Sequence, residues 1–295
     1  MDNLSSNLKN NNFITSNLLK KFERLLYLTK QLLRYRPKTV KHSIGQTSFE
    51  FIGYRHYVPG DAVREIDWNV FQRLNEIVVK QYAVESPDHW VIGLDISASM
   101  SVFGKFECAL QLTAALIYIA LSLNNKVTFF TFPSSSKIYK YKGKHKIKIM
   151  LDNLAQLIPD QIKAEQFDPL TLFPKLPQHS KSILISDFYD KSYHDILPML
   201  SKRNICSVAL HIIALQEIKP DFKGHLILKD IETSNTKKVH VSPYLLKQYE
   251  EQFQKVILRF KVFCSKHKVF YKKITPNSAL DREVLSILRL VGLLR

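Results

Sequence analysis

The sequence predicts an α/β fold, a mostly parallel sheet with helices on both faces, and two observations carry that prediction. From Trp90 onward, apolar runs of strand length alternate with stretches of helical period, the pattern of a sheet covered on both sides. Two of the runs, 91–94 and 182–186, end abruptly in an acid, Asp95 and Asp187. Short apolar runs closed by polar residues are the buried strands of parallel sheets. Beyond their carboxyl ends such sheets bind ligands.

Taken in order, residues 1–12 are polar and Asn-rich and read as disordered. Between 13 and 33, Leu18, Leu19, Phe22, Leu25, Leu26, Leu32 and Leu33 recur at helical spacing among Lys and Arg, predicting an amphipathic basic helix. A basic linker broken by Pro37 follows. The stretch 48–82 is dense in charge and aromatics. Within it, Val58-Pro59-Gly60-Asp61 has the composition of a type II turn, with Pro at the first central position and Gly at the second. Arg55, Arg64, Asp67, Trp68 and Arg73 lie around that turn. They suit an internal Arg–Asp network better than a nucleic-acid surface, since the acids would repel phosphate. Segment 77–79 is strand-like.

From there the spacing predicts a strand over 91–94, a helix over 105–123, a strand over 126–132, and a Lys-alternating segment over 137–148 that reads as a solvated edge. A helix to 157, a loop, a strand over 182–186, a helix to 202 and a strand over 205–215 follow. Then the period changes: a hairpin over 226–241, a long basic helix over 243–267, a strand over 269–274 and a closing helix over 279–291. The resulting division is 1–12 disordered, 13–89 as the N-terminal helix and Pro-Gly-Asp block packed on the main domain, and 90–295 as that domain.

Composition narrows the function. Lys+Arg 43 against Asp+Glu 26 leaves a net charge of +17, a field that attracts anionic partners. The three cysteines are far apart, with no CxxC spacing, and read as reduced packing residues. The longest nearly apolar run, 112–123, falls short of the ~20 residues a bilayer demands. No secretory leader pattern opens the chain. These features predict a soluble cytoplasmic protein. No glycine-rich phosphate loop, HExxH or GxSxG motif is present, which removes the commonest nucleotide, zinc and serine-hydrolase chemistries.

The candidate chemistry gathers at the strand-ending acids. Asp95-x-Ser97-x-Ser99 and Asp187 offer hard oxygen ligands, which suit Mg²⁺, with Mn²⁺ or Ca²⁺ as alternatives. A further hydroxyl is expected from the loop before the second strand, with Thr171 the first candidate and Asp168 the second. A lone acid there would be a helix N-cap; two acids with two spaced hydroxyls favour a metal. Aspartyl phosphatases of the haloacid dehalogenase type require an acid where Ser97 stands. The site therefore reads as non-catalytic.

Asp95-x-Ser97-x-Ser99 with Asp187 resembles the metal-ion-dependent adhesion site of von Willebrand factor A domains. A second block is more specific: Phe49-Glu50, Tyr54-Arg55-x-Tyr57-x-Pro59-Gly60-Asp61-x-x-Arg64-x-Ile66-Asp67-Trp68, Lys80 and Glu85. Together with the Asp95 motif it resembles the bacterial domain-of-unknown-function-58 family. The resemblance, over about Leu18 to the C-terminus, implies a von Willebrand factor A-like domain with metal ligands Asp95, Ser97, Ser99, Thr171 and Asp187. Where similar proteins often carry Gly-Thr-Asp-Leu, this chain has Pro169-Leu170-Thr171-Leu172. It further implies adaptor or chaperone-like work with a MoxR-type AAA+ ATPase and an acidic client protein. The rival expectation is a basic module, using the lysines of 137–148 and the two amphipathic helices, that binds nucleic acid or an anionic membrane surface without metal.

Overall fold

A computed structural model describes residues 15–34, 49–63, 66–84, 87–133, 137–159, 169–190, 193–222, 224–229, 231 and 235–294. The expected disordered start, most of the basic linker, Arg64, Glu85 and Asp168 lie outside them. The chain divides into two compact units, Met1–Tyr35 with Asp88–Arg295, and Arg36–Pro87. The N-terminal helix is thus counted with the α/β body, whereas the expected division had grouped it with the Pro-Gly-Asp block.

The larger unit is built on a six-stranded sheet of β3 (His89–Asp95), β4 (Lys126–Phe132), β5 (Ile138–Lys142), β6 (Lys181–Ser186), β7 (Cys206–Ile212) and β10 (Phe270–Ile274). Their order is β10-β7-β6-β3-β4-β5, parallel except for β5, which runs antiparallel to β4. The chain winds outward from β3 through β4 to β5, then returns to β3's other side with β6. β3 and β6 therefore flank the topological switch point, the crevice where open α/β sheets bind ligands. Their register, Leu94 opposite Ile185, delivers Asp95 and Asp187 to the same edge.

Alternation along the strands feeds two cores. On one face Trp90, Ile92 and Leu94 pack with α1 (Ser16–Arg34), α3 (Lys105–Ser122), α4 (Ile147–Ala155) and α9 (Leu280–Leu290). Leu18, Phe22 and Leu25 of α1 are buried there, each worth about 1.5–3 kcal/mol. On the other face Val91, Phe130 and Leu184 meet Leu172 of α5 (Pro169–Leu172), α6 (Tyr193–Arg203) and α8 (Pro243–Lys266). Gly93 sits between Phe130 and Leu184 in register. A Cβ there would lie 2.5 Å from the Phe130 ring and 2.6 Å from a Leu184 methyl, so the two side chains close over the glycine. α3 is long and apolar enough to cross a bilayer, but 72% of it is buried within the fold, as a core helix must be.

Two strands end earlier than expected. The strand expected over 205–215 stops at Ile212, and Leu215–Ile218 forms a short helix, α7. The Glu217 carboxylate turns back to accept the Ala214 N–H at 2.8 Å, which starts that helix where the sheet ladder ends. The Lys-alternating segment is only partly a strand. β5 ends at Lys142, and Gly143 (φ +82°) leads into a 3₁₀ turn and α4. β8 (Gly224–Lys229) and β9 (Thr236–Val241) form the expected hairpin.

The smaller unit contains the antiparallel pair β1 (Phe49–His56) and β2 (Val78–Val84), joined through α2 (Trp68–Leu74). Arg55 grips Asp61 with two bonds of 2.5 and 2.6 Å. Asp61 N–H donates to the Val58 carbonyl at 3.0 Å, and Gly60 takes φ +112°, as the expected type II turn requires. Asp67 caps α2 by accepting the Asn69 N–H at 3.0 Å, and also accepts from the Tyr54 hydroxyl at 2.9 Å. Asp61 and Asp67 are thus both engaged within the block.

Candidate metal centre

The strand end at Asp95 is fixed by its neighbours. Ile96 N–H bonds the Phe132 carbonyl at 2.8 Å, holding the chain to β4 for one residue past the acid. The chain then turns, and Ser97 N–H donates to Asp95 Oδ1 at 2.8 Å. A 3₁₀ turn, Ala98–Ser101, brings the Ser97 and Ser99 hydroxyls within 2.9 Å of each other. Alternation explains the spacing: Ala98 and Met100 are buried, while Ser97 and Ser99 are half-buried. The other carboxylate oxygen, Asp95 Oδ2, accepts a short bond from the Ser186 hydroxyl.

Asp187 follows β6 and is 1% exposed; Asp95 is 5% exposed. Burial, and then the charge of Asp187, raise the Asp95 carboxyl from 3.8 to about 7, so the two acids repel each other across the switch point. Asp187 itself is partnered. Lys105, the first residue of α3 and 0% exposed, places its ammonium 2.8 Å from Asp187 Oδ2 and 2.7 Å from Glu217 Oε1. That ammonium also stands 4.9 Å from the centre of the Tyr189 ring.

The structure therefore brings together Asp95, Ser97, Ser99 and Asp187. Thr171 lies on α5 with its side chain exposed. Three residues of the site were missed by sequence reasoning. Ser186 stood beside Asp187 without a role. Lys105 opens an apolar helix, a position where a cation works against the helix dipole, and that mismatch was the available signal. Glu217 was hidden because the expected strand ran through 215.

Among the described residues no group of three or more His, Cys, Asp or Glu side chains forms a ready metal cage, so any cation here would rely on the serine hydroxyls. The residues fit one of the hard type. Every donor is oxygen. With all three acids ionised, Asp95, Asp187 and Glu217 outweigh Lys105 by two charges, which a divalent cation would balance.

Three solved structures share a coarse likeness. The conserved hypothetical protein BatB from Bacteroides thetaiotaomicron is 15% identical, with 70% of this chain and 99% of that one covered and a TM-score of 0.41. An aerotolerance-related membrane protein from Bacteroides fragilis is 13% identical, with 70% and 98% covered and a TM-score of 0.39. An uncharacterized membrane spanning protein from Vibrio fischeri is 9% identical, with 68% and 98% covered and a TM-score of 0.21. No curated protein matches the chain. Residues 53–256, which take in the Pro-Gly-Asp block, the Asp95 loop and Asp187, match the model of the family described as "Protein of unknown function DUF58", and the chain belongs to that family.

Proposed function

We propose that the α/β body is of the von Willebrand factor A type and works as a non-catalytic, metal-dependent protein-binding module. Asp95, Ser97, Ser99 and Asp187 would hold Mg²⁺, with Thr171 of α5 as a further ligand. The bound cation would supply an open coordination position for a carboxylate of the partner. In this reading the partner is a MoxR-type AAA+ ATPase acting with an acidic client, in the cytoplasm. One observation carries it: two buried carboxylates and two paired hydroxyls converge at the switch point with an unbalanced negative charge. Such a site repels an acidic partner until a cation neutralises it. In this reading no residue of the site acts as nucleophile or general acid.

A second reading has one observation in its favour. Lys30, Lys142, Lys144 and His145 line an open groove at the opposite end of the sheet. Lys126 lies directly across from Lys142 in the ladder, a like-charge pairing that disfavours the edge. Among the described residues these lysines have no carboxylate partner. This would be the basic module that binds an anionic ligand without metal.

A pull-down of the ATPase separates the readings when run in Mg²⁺ and in EDTA across a salt series. Metal-bridged binding disappears in EDTA and in Asp95→Ala while the circular dichroism spectrum is kept. Capture that persists unchanged in EDTA sinks the metal-bridge reading. A steep salt dependence indifferent to Mg²⁺ establishes the basic one.

A further inference from the structure

Lys105 is not explained by the proposed site. An ammonium at the first position of α3 opposes the helix dipole. Removing it from water without partners would carry a large penalty, yet it is 0% exposed. The two carboxylates 2.8 and 2.7 Å away offset both costs. Only one of those two, Asp187, belongs to the candidate ligand set. Glu217 stands on α7, where its second oxygen is tied to the Ala214 N–H, so it cannot follow Lys105 elsewhere. The ammonium is thus shared between an acid a cation would claim and an acid held fixed by its own backbone.

We propose that Lys105 is a built-in counter-ion that competes with the divalent cation for Asp187, and that Glu217 retains it when the cation is bound. The idea rests on the metal-binding reading above and adds its regulation. In the cation-free protein Lys105 neutralises Asp187, so the strand end stays ordered without metal. Loading requires Asp187 Oδ2 to exchange an ammonium for the cation while Lys105 keeps its bond to Glu217. The internal competitor lowers affinity and makes occupancy reversible. It also links the site to α8, because the Tyr249 hydroxyl of α8 donates to the Glu217 carbonyl at 2.9 Å.

The test is calorimetric titration of Mg²⁺ and Mn²⁺ into the full chain at pH 8, for wild type, Lys105→Met, Glu217→Gln and the double variant, with Asp95→Ala as the blank. Methionine keeps the length of the lysine and removes its charge. Lys105→Met should bind the cation at least about tenfold more tightly, since a positive charge has left a low-dielectric site. Glu217→Gln should bind several-fold more weakly, because the ammonium then rests on Asp187 alone. In the double variant the Glu217 effect should vanish, which separates retention of Lys105 from a general loss of negative charge. Wild type that binds the cation while Lys105→Met binds equally or more weakly overturns the counter-ion and leaves the metal reading standing. Should Lys105→Met not fold, Glu217→Gln decides alone, and unchanged affinity there overturns the proposal. If wild type binds no cation at all, both readings fall together.

Discussion

Asp95 and His211 pull the pH dependence of stability in opposite directions. Burial and the neighbouring Asp187 raise Asp95 from 3.8 to about 7. Between those values the folded chain keeps a proton that the unfolded chain has lost, so this acid lowers stability as pH rises from about 4 to 7. Burial lowers His211 from 6.5 to about 3; its Nδ1 lies 3.2 Å from the Tyr271 hydroxyl and its ring packs on Phe188 and Phe260. There the unfolded chain binds the extra proton, so stability rises with pH from about 3 to 6.5 and is complete above that. The two slopes partly cancel. In metal-free buffer, urea midpoints of Asp95→Asn should therefore climb more steeply from pH 4 to 7 than those of wild type. His211→Gln should expose the falling slope of Asp95. A wild-type-like profile in Asp95→Asn would mean that the carboxyl is already ionised in the folded state at low pH.

At the scale of elements, β3 does two jobs, carrying Asp95 and leaving room at Gly93. Phe130 and Leu184 occupy that room from the strands on either side, and both are buried. Gly93→Ala forces them apart in a packed core, an overpacking that costs typically about 1–3 kcal/mol. The urea midpoint should fall accordingly. Because β4 and β6 are the strands displaced, the Asp95–Asp187 geometry should loosen with it, weakening cation binding beyond the stability loss. An unchanged midpoint would show that the ring and methyl can turn aside. The strands themselves were legible, since parallel strands buried on both faces write continuous apolar runs, and the acids ending 91–94 and 182–186 pointed to the same edge. What local pattern could not express was the partnership of Lys105 with Glu217, which are 112 positions apart in the chain and meet only when α3 and α7 dock. Where strand 205–215 would stop was equally hidden. Ile213 continues a bond to β10 through the Ile274 carbonyl, so its apolar run reads as strand until Glu217 turns the chain.

At the scale of the whole molecule, the chain carries a net charge of +17 while its candidate site is itself negative. The α/β body is polar along its strands: Asp95, Asp187 and Glu217 lie toward one end, and Lys30, Lys126, Lys142 and Lys144 toward the other. In the proposed metal-bridged complex with an acidic partner, these two charges would act at different stages. The long-range positive field governs encounter, which rises with the field and is screened within a Debye length of about 8 Å at physiological salt. The local site would govern how long the complex lasts, since in this reading the cation holds the partner's carboxylate against two buried acids. Kinetics of ATPase binding to the immobilised full chain should then split cleanly. Raising salt, or the double substitution Lys142→Glu with Lys144→Glu, should slow association by up to roughly tenfold and leave dissociation nearly unchanged. Replacing Mg²⁺ with EDTA should speed dissociation and leave association nearly unchanged. If charge reversal at Lys142 and Lys144 instead accelerates dissociation as strongly as EDTA does, the basic groove is itself the contact surface, and the work of binding moves from the acidic end of the sheet to the other.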